Sequence, residues 1–531
     1  MEEEKKLLLP GVVMIAVPDQ LALGLLSPDE EGVAAEEPVR SCGEARGIEV
    51  AEEDYAARWR ERRVLSLCRV AEALLVLAAL AVAGHYCLYY SAGVGVPFSR
   101  EEPWREGRSF LLPLYPKARA SQDSGSIKAG AGAAEAMENS TAVLPIRGNV
   151  FRDREYYTSM YIGNPPRPYF LDIDTGSDLT WLQCDAPCTN CAKGPNPLYK
   201  PAKRNVVLPR HPLCEELVGN QNYCDTCKQC DYDIIYADQS SSMGVLARDN
   251  MQLITADGEK EILDIVFGCG YDQQGKLLAS PANVDGILGL SNAAISLPTQ
   301  LASQGIISNV FGHCMAKDHS SGGYMFLGDD YIPRWGMTWV PIRSGPGNLY
   351  RTEVQKVNYG DHQLDARGKL TQVIFDSGSS YTYLPHGEYT NLIASLKSLS
   401  PSLLQDDSDQ TLPFCMKADF PVRSVDDVKQ LFKPLTLVFK KKWFILPRTF
   451  TIPPEDYLII SDKNNVCLGV LDGAEIGLDS EIIIGDVFLR GKLVVYDNDE
   501  KQIGWVQSDC TKPQKQSGIP LLKRVLHNQL L

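Results

Sequence analysis

The chain of 531 residues is 44% hydrophobic and 22% charged, an ordinary globular composition with room for about two to four domains. That balance excludes a mostly disordered protein, a collagen and a polytopic membrane protein. A formal net charge of −15 offers no large basic surface for phosphates, so nucleic acid is not expected as a partner.

Residues 1–57 are strongly acidic and read as a disordered segment. The opening Met1-Glu2-Glu3-Glu4-Lys5-Lys6 lacks the basic start and long apolar run of a cleaved signal peptide. Glu3 to Leu8 also has the form of an acidic dileucine sorting signal, but a disordered acidic tail is the preferred reading.

Residues 58–96 combine a basic flank with one convincing apolar run. Ala73 to Val96 contains no Asp, Glu, Lys or Arg. At a rise of about 1.5 Å per residue it can cross a hydrocarbon core of roughly 30 Å with some tilt. Arg58, Arg60, Arg62, Arg63 and Arg69 precede it; only Arg100, Arg105 and Arg108 follow closely. This asymmetry places the N-terminus in the cytosol and the remainder in the lumen or outside, as a single-pass type II membrane protein. The cysteines point the same way. Twelve of the 15 lie between Cys184 and Cys510, a block suited to disulfides in an oxidising compartment.

Residues 97–150 read as a flexible stalk, with too little apolar content in their Ala-, Gly- and Ser-rich centre to form a core. The N-glycosylation sequon Asn139-Ser140-Thr141 lies there, usable only on the lumenal side.

From about residue 151 to Cys510, short β-type runs are punctuated by Gly, Pro, Asn and Asp. Strands are expected at Tyr156–Ile162, Tyr169–Ile173, Ile262–Phe267, Val373–Phe375 and Lys492–Tyr496. Helices are expected near Leu297–Gln304 and Glu388–Leu399. The region also repeats itself. Asp174-Thr175-Gly176-Ser177 and Asp376-Ser377-Gly378-Ser379 each follow one apolar run and precede another. Ile287-Leu288-Gly289 and Ile483-Ile484-Gly485 follow them at nearly equal offsets, so the order speaks for two related lobes, 151–345 and 346–510.

These residues resemble the pepsin-like aspartic endopeptidases, over nearly all of 151–510. The stretch Asp174 to Cys184 (DTGSDLTWLQC) and the cysteine-rich insertion resemble the plant nucellin-like branch, and the order anchor, stalk, protease resembles its membrane-anchored members. The resemblance implies a mainly β, bilobal fold with a cleft between the lobes and one catalytic Asp from each, Asp174 and Asp376. Two carboxylates held close cannot both ionise. One then serves as base toward a water and the other as acid toward the peptide carbonyl. Around them, Thr175 and Ser377 are expected to brace the turns, Gly176 and Gly378 to allow close backbone approach, and Ser177 and Ser379 to bond the carboxylates. Trp181 is expected to pack behind the first turn.

The resemblance further implies a flap tyrosine, Tyr236, on a hairpin closing over the cleft. The tip departs from the family's Tyr-Gly-Asp-Gly-Ser, reading Tyr236-Ala237-Asp238-Gln239-Ser240, which loses two glycines and should stiffen it. It also implies a second-lobe disulfide between Cys415 and Cys467. Cys214, Cys224, Cys227 and Cys230 have spacings that a zinc site would also accept; an oxidising compartment favours disulfides. Cys184, Cys188 and Cys191 are assigned to the same staple network, with Cys269, Cys314 and Cys510.

Other nucleophile patterns fail. Gly289 to Ala293 lacks the last Gly of a serine-hydrolase elbow, and adjacent His313 and Cys314 would diverge on a strand. No cofactor or metal is expected. Polypeptide substrates are, and a monomer. Residues 511–531 read as a basic tail. Two functions therefore stand: a membrane-anchored aspartic endopeptidase, or a non-catalytic binding or inhibitor protein on the same fold.

Overall fold

The computed structural model describes residues 110–116 and, with short interruptions, 156–513. The expected membrane span 73–96, the sequon at Asn139, Cys188, Cys224 and the tail beyond 513 lie outside the described residues. Among the described residues no helix is long and apolar enough to cross a membrane.

The architecture is mainly β. Strands Tyr156–Ile162, Arg167–Asp174, Thr371–Phe375 and Lys492–Asp497 form where apolar runs end in turn residues. The helices Leu297–Ser303 and His386–Lys397 fall at the expected positions. Lys260–Gln274 runs well beyond the short strand read from Ile262–Phe267, because it pairs along its length with Ser241–Ile254.

In the first lobe, Arg167–Asp174 lies parallel to Gly286–Gly289, with Asp174 opposite Gly289. In the second, Thr371–Phe375 lies parallel to Glu481–Ile484, with Phe375 opposite Ile484. The repeat seen in the sequence is thus two copies of one unit, in which a strand leading into the Asp turn is held by the late apolar-apolar-Gly strand. Each copy adds the same side-chain bond. Gly289 N–H donates to Thr180 Oγ1 at 3.1 Å and Gly485 N–H to Thr382 Oγ1 at 3.2 Å.

Two features differ from the sequence reading. Phe110–Pro116, expected within a flexible stalk, is a strand. It pairs antiparallel with Gly323–Leu327 over five positions and touches Tyr156–Ile162 at its end, and Leu112 is buried. Its Phe-Leu-Leu-Pro-Leu-Tyr sequence carries the apolar content that the rest of 97–150 lacks. The lobes also share strands. Lys492–Asp497 and Gln502–Gln507, placed in the second lobe by position, pair next to Val310–Met315 of the first, in a 13-stranded sheet. The second lobe keeps an eight-stranded sheet and a four-stranded one. Aromatic rings fill the junction. Tyr496 stacks on Phe311 with centroids 4.8 Å apart and meets Tyr350 at 4.4 Å.

Candidate active site

The two Asp turns meet at the lobe interface through a reciprocal set of hydrogen bonds. Thr175 N–H donates to Ser377 Oγ at 3.1 Å, and Ser377 N–H donates to Thr175 Oγ1 at 3.0 Å. Each hydroxyl then donates to the strand across the interface, Thr175 to Phe375 O and Ser377 to Ile173 O, both at 3.0 Å. Four buried backbone groups are satisfied by two small side chains, which fixes the separation of the lobes at this point.

The carboxylates sit on this brace in matching surroundings. Asp174 and Asp376 are both fully buried. Asp174 Oδ1 accepts from Gly176 N–H at 2.7 Å and its Oδ2 from Ser177 Oγ. Asp376 Oδ1 accepts from Gly378 N–H at 3.1 Å and its Oδ2 from Ser379 Oγ. The glycines are required by space. A Cβ on Gly176 would stand 2.6 Å from Asp376 Oδ1, and one on Gly378 would collide with the Asp174 carboxylate. Each glycine therefore lies against the other lobe's carboxylate.

Electrostatics follow from this packing. Burial, then the neighbouring Asp376, push Asp174 well above the ordinary carboxylate range, against the lowering effect of its bonds from Ser177 and Gly176. Burial raises Asp376 to about 6, opposed by Ser379 and Gly378. The two titrate as a pair. Over acid to near-neutral pH the pair can hold one proton between two carboxylates, the state that supplies an acid and a base side by side.

Tyr236 caps the site. It follows strand Asp231–Ile235 at a hairpin turn closed by Tyr236 N–H to Ser240 O at 2.8 Å. Its side chain is fully buried, and its hydroxyl accepts from Trp181 Nε1 at 2.8 Å. Burial and then the Asp174 charge raise its pKa. Trp181 therefore fixes the position of the Tyr236 hydroxyl. At the altered tip, Gln239 takes a left-handed φ of 65°, and Asp238 Oδ1 accepts from Ser240 N–H and Oγ at 2.9 and 2.6 Å. Glutamine therefore occupies a conformation that glycine adopts without strain.

The cysteines divide into Cys184–Cys269, Cys214–Cys230, Cys314–Cys510 and Cys415–Cys467. Cys191 and Cys227 are disulfide-bonded as well. The Cys214–Cys230 bond removes two thiolates from the zinc reading. Among the described residues, Asp409, Cys415 and Cys467 cluster as metal ligands would, but the two sulfurs are bonded to each other. Cys314 is likewise consumed, while His313 turns away to place Nε2 3.1 Å from Tyr496 Oη, so no thiol dyad exists there. Ser291 donates to Asp178 Oδ1 at 2.5 Å as a structural residue.

Sequence reasoning missed two buried acids beneath the dyad, Asp172 and Asp486, and a buried ion pair nearby. Lys492 Nζ, fully buried, donates to Asp456 Oδ2 at 3.0 Å and lies 5.1 Å from the Phe450 ring centroid. The signal for Asp172 was in plain view. A charged residue interrupts the apolar run Tyr169–Ile173, two positions before Asp174.

Comparison with known proteins places this arrangement. Residues 156–329 match the family model described as "Xylanase inhibitor N-terminal" and residues 349–507 match "Xylanase inhibitor C-terminal". The chain is 39% identical over 401 residues to an aspartic proteinase of Oryza sativa subsp. japonica, covering 72% of this chain and 94% of that protein. It is 28% identical over 397 residues to "Aspartic proteinase 39" of Arabidopsis thaliana, covering 70% and 78% respectively. Among solved structures, Basic 7S globulin from soybean superposes with a TM-score of 0.56 at 17% identity, covering 76% of this chain and 96% of that one. Conglutin gamma from lupine seeds gives 0.55 at 16% identity, with 77% and 98% coverage. At such identities the structural likeness speaks for the bilobal fold alone.

Proposed function

Since the chain belongs to the pepsin-like plant aspartic proteinases, in the branch whose two halves match the xylanase-inhibitor models, we propose that it is an aspartic endopeptidase working through Asp174 and Asp376. One observation carries the reading: both carboxylates are intact, buried and braced in matching turns that face each other across the lobes. A binding protein needs no such pair, and keeping two acids out of water is costly unless they are used.

In this reaction the ionised member of the dyad takes a proton from a water, whose oxygen attacks the peptide carbonyl carbon. The protonated member donates to the carbonyl oxygen, giving a neutral gem-diol. Collapse of the diol breaks the C–N bond. One proton passes to the leaving amine, the other returns to the dyad, and water has been consumed across the bond. Ser177 and Ser379, with the Gly176 and Gly378 amides, hold the carboxylates in place through this exchange. Tyr236, pinned by Trp181, closes the flap and excludes bulk water.

Membrane anchoring through 73–96, with the two lobes on the lumenal or outer side, belongs to the same proposal. It is supported by the flanking arginines and by the disulfides of the folded region. Assignment to the nucellin-like, membrane-anchored members rests on the DTGSDLTWLQC stretch and the order of segments. Because Phe110 already begins a strand, the tether from Val96 spans at most roughly 45 Å, so the cleft works close to the bilayer.

The second reading, a protein that binds or inhibits another, is favoured by the descriptions of the matched family models. One experiment separates the two. The purified chain is incubated at acid pH with denatured polypeptides, and new N-termini are mapped by mass spectrometry. Asp174→Asn serves as the control, and inhibition of a xylanase is assayed in parallel. Cleavage that vanishes in the variant supports the endopeptidase. No cleavage, with xylanase inhibition that the variant retains, supports the binder.

A further inference from the structure

The segment that crosses from the first lobe to the second is bonded to the supports of both catalytic turns. Residues 342–350 join strand Thr338–Pro341 of the 13-stranded sheet to strand Arg351–Tyr359 of the eight-stranded one. Tyr350, at the end of this segment, is fully buried. Its hydroxyl donates to Leu290 O at 2.9 Å, and its backbone O accepts from Phe375 N–H at 3.1 Å. Leu290 follows the late glycine of the first lobe, and its N–H donates to Asp174 O at 2.9 Å. Phe375 directly precedes Asp376. One residue thus holds both the group that supports the Asp174 backbone and the strand that delivers Asp376.

Two residues earlier the same segment is fastened again. Asn348 Nδ2 donates to Asp178 Oδ2 at 2.9 Å, and Asn348 O accepts from Asn292 N–H at 3.0 Å. Asp178 directly follows Ser177 of the first catalytic turn. Its other oxygen accepts from Ser291 Oγ at 2.5 Å, and Ser291 N–H donates to Ser177 O at 3.1 Å. Asp178, Ser291, Asn292 and Asn348 therefore form a closed ring of contacts beside that turn. The Tyr350 ring is held as firmly. Asn498 Nδ2 donates to its hydroxyl oxygen at 3.2 Å, and Tyr496 meets the ring with centroids 4.4 Å apart. Phenylalanine would fill the same space, so packing alone does not explain the buried hydroxyl. Its donor is aimed at the carbonyl of the residue that supports Asp174.

Resting on the reading of Asp174 and Asp376 as the catalytic dyad, we propose that Asn348 and Tyr350 are positioning residues that strap its two turns together. The brace of Thr175 and Ser377 joins the turns where they touch. A joint at one place leaves two bodies free to rock about it. The strap adds attachments elsewhere, to Asp178 and Leu290 on one side and to Phe375 on the other, and so resists that rocking. Asn348 and Tyr350 act through the backbone behind the acids and not on the reacting atoms. Loosening the strap lets the carboxylates drift apart. Their mutual repulsion then weakens, the shared proton is lost more readily, and activity ends at lower pH.

The test is the pH dependence of kcat and KM for Tyr350→Phe and Asn348→Ala. Tyr350→Phe keeps the ring and deletes the bond to Leu290 O. Asn348→Ala trims an exposed side chain and deletes the bond to Asp178. We expect kcat to fall by about 10-fold in Tyr350→Phe and about threefold in Asn348→Ala, with KM within about twofold. The alkaline limb of kcat should move down by about half a pH unit in Tyr350→Phe. A merely structural role would lower the melting temperature and leave kcat and the limb of the folded enzyme in place; that result in Tyr350→Phe overturns the proposal. Hydrogen exchange reads the strap without catalysis. In Tyr350→Phe the amides of Leu290, Ser291 and Phe375 should exchange about 10-fold faster, while those of Cys415–Ala418 in the four-stranded sheet keep their rate. Faster exchange on the Leu290 side alone, or an equal rise at Cys415–Ala418, overturns the strap whatever the enzyme does. The expected exchange pattern in a chain that cleaves nothing would sink the hydrolytic reading and leave the strap standing.

Discussion

Replacing Gly176 by Ala tests whether the two catalytic turns are held as closely as hydrolysis requires. The added Cβ would stand 2.6 Å from Asp376 Oδ1, 3.1 Å from Asp174 Oδ1 and 3.2 Å from Asp376 Cγ. Ordinary contact begins near 3.4 Å, so the Asp376 carboxylate or the Gly176 turn must retreat by about 0.8 Å. Neither has free room. Asp376 is held by Ser379 Oγ and the Gly378 amide, and the turn by the bonds between Thr175 and Ser377. A shift of this size parts the two carboxylates that must share a proton, and misplacement by about 1 Å costs on the order of 100-fold in rate. We expect kcat for peptide cleavage to fall by about 100-fold in Gly176→Ala, with a comparable loss in Gly378→Ala, whose Cβ would meet Asp174. Near-UV circular dichroism should remain that of the folded chain. Gly387→Ala is the control, because no atom lies within 4 Å of its Cβ position on helix His386–Lys397 and kcat should not change. A Gly176→Ala enzyme within about threefold of wild type would refute the reasoning, since the dyad would then tolerate a displacement that proton sharing forbids.

Raised carboxylates set the pH response. Activity should fall as pH rises through about 6 and above, where Asp376 and its partner lose the shared proton; a rate maximum well above neutrality would contradict this. Stability should follow the same direction. The folded pKa values of Asp174, Asp376 and Asp486 lie above the unfolded value of about 3.9, so the native state binds more protons. Stability is therefore greatest below about pH 4 for these groups and declines as pH rises through their folded values, which melting temperatures recorded from about pH 4 to 7.5 would reveal. Lys492→Met should destabilise the fold by about 3–5 kcal/mol, because it strands the buried Asp456 with only the half-exposed Lys317, 2.8 Å away, as counter-charge; the melting temperature is the readout. At the flap tip, Gln239→Gly should leave stability within about 0.5 kcal/mol, relief of the left-handed strain offsetting the entropy of glycine. Gln239→Val should cost more than about 1 kcal/mol, since a β-branched residue fits a φ of 65° poorly.

The two Asp turns of this protein were legible in its sequence because the information is local. A strand running into Asp-Thr-Gly-Ser or Asp-Ser-Gly-Ser specifies a turn in which a backbone amide and a hydroxyl converge on one carboxylate, and every group involved lies within four residues. Repetition of that turn with a late apolar-apolar-Gly strand announced two lobes before any contact between them was known. The preference for disulfides over zinc and the Cys415–Cys467 bond were legible, but the pairing of the other cysteines was not. Cys314 joins Cys510 across 196 residues, and no spacing rule selects a partner at such a distance.

Tertiary structure decided which distant segments share a surface. Phe110–Pro116 looked like a fragment of stalk; only the open edge of Gly323–Leu327 makes it a strand. The final strands could equally have closed the second lobe, yet they complete the sheet of the first, where Tyr496 packs against Phe311. Asp172 and Asp486 are ordinary acids in their own segments. Both are buried because the fold closes over the strand that carries one and the turn that carries the other. Short-range sterics and hydrogen bonds fix a turn wherever its sequence occurs. Strand partners, disulfides and buried charges depend on which surfaces exclude water together, and the whole chain must fold to settle that.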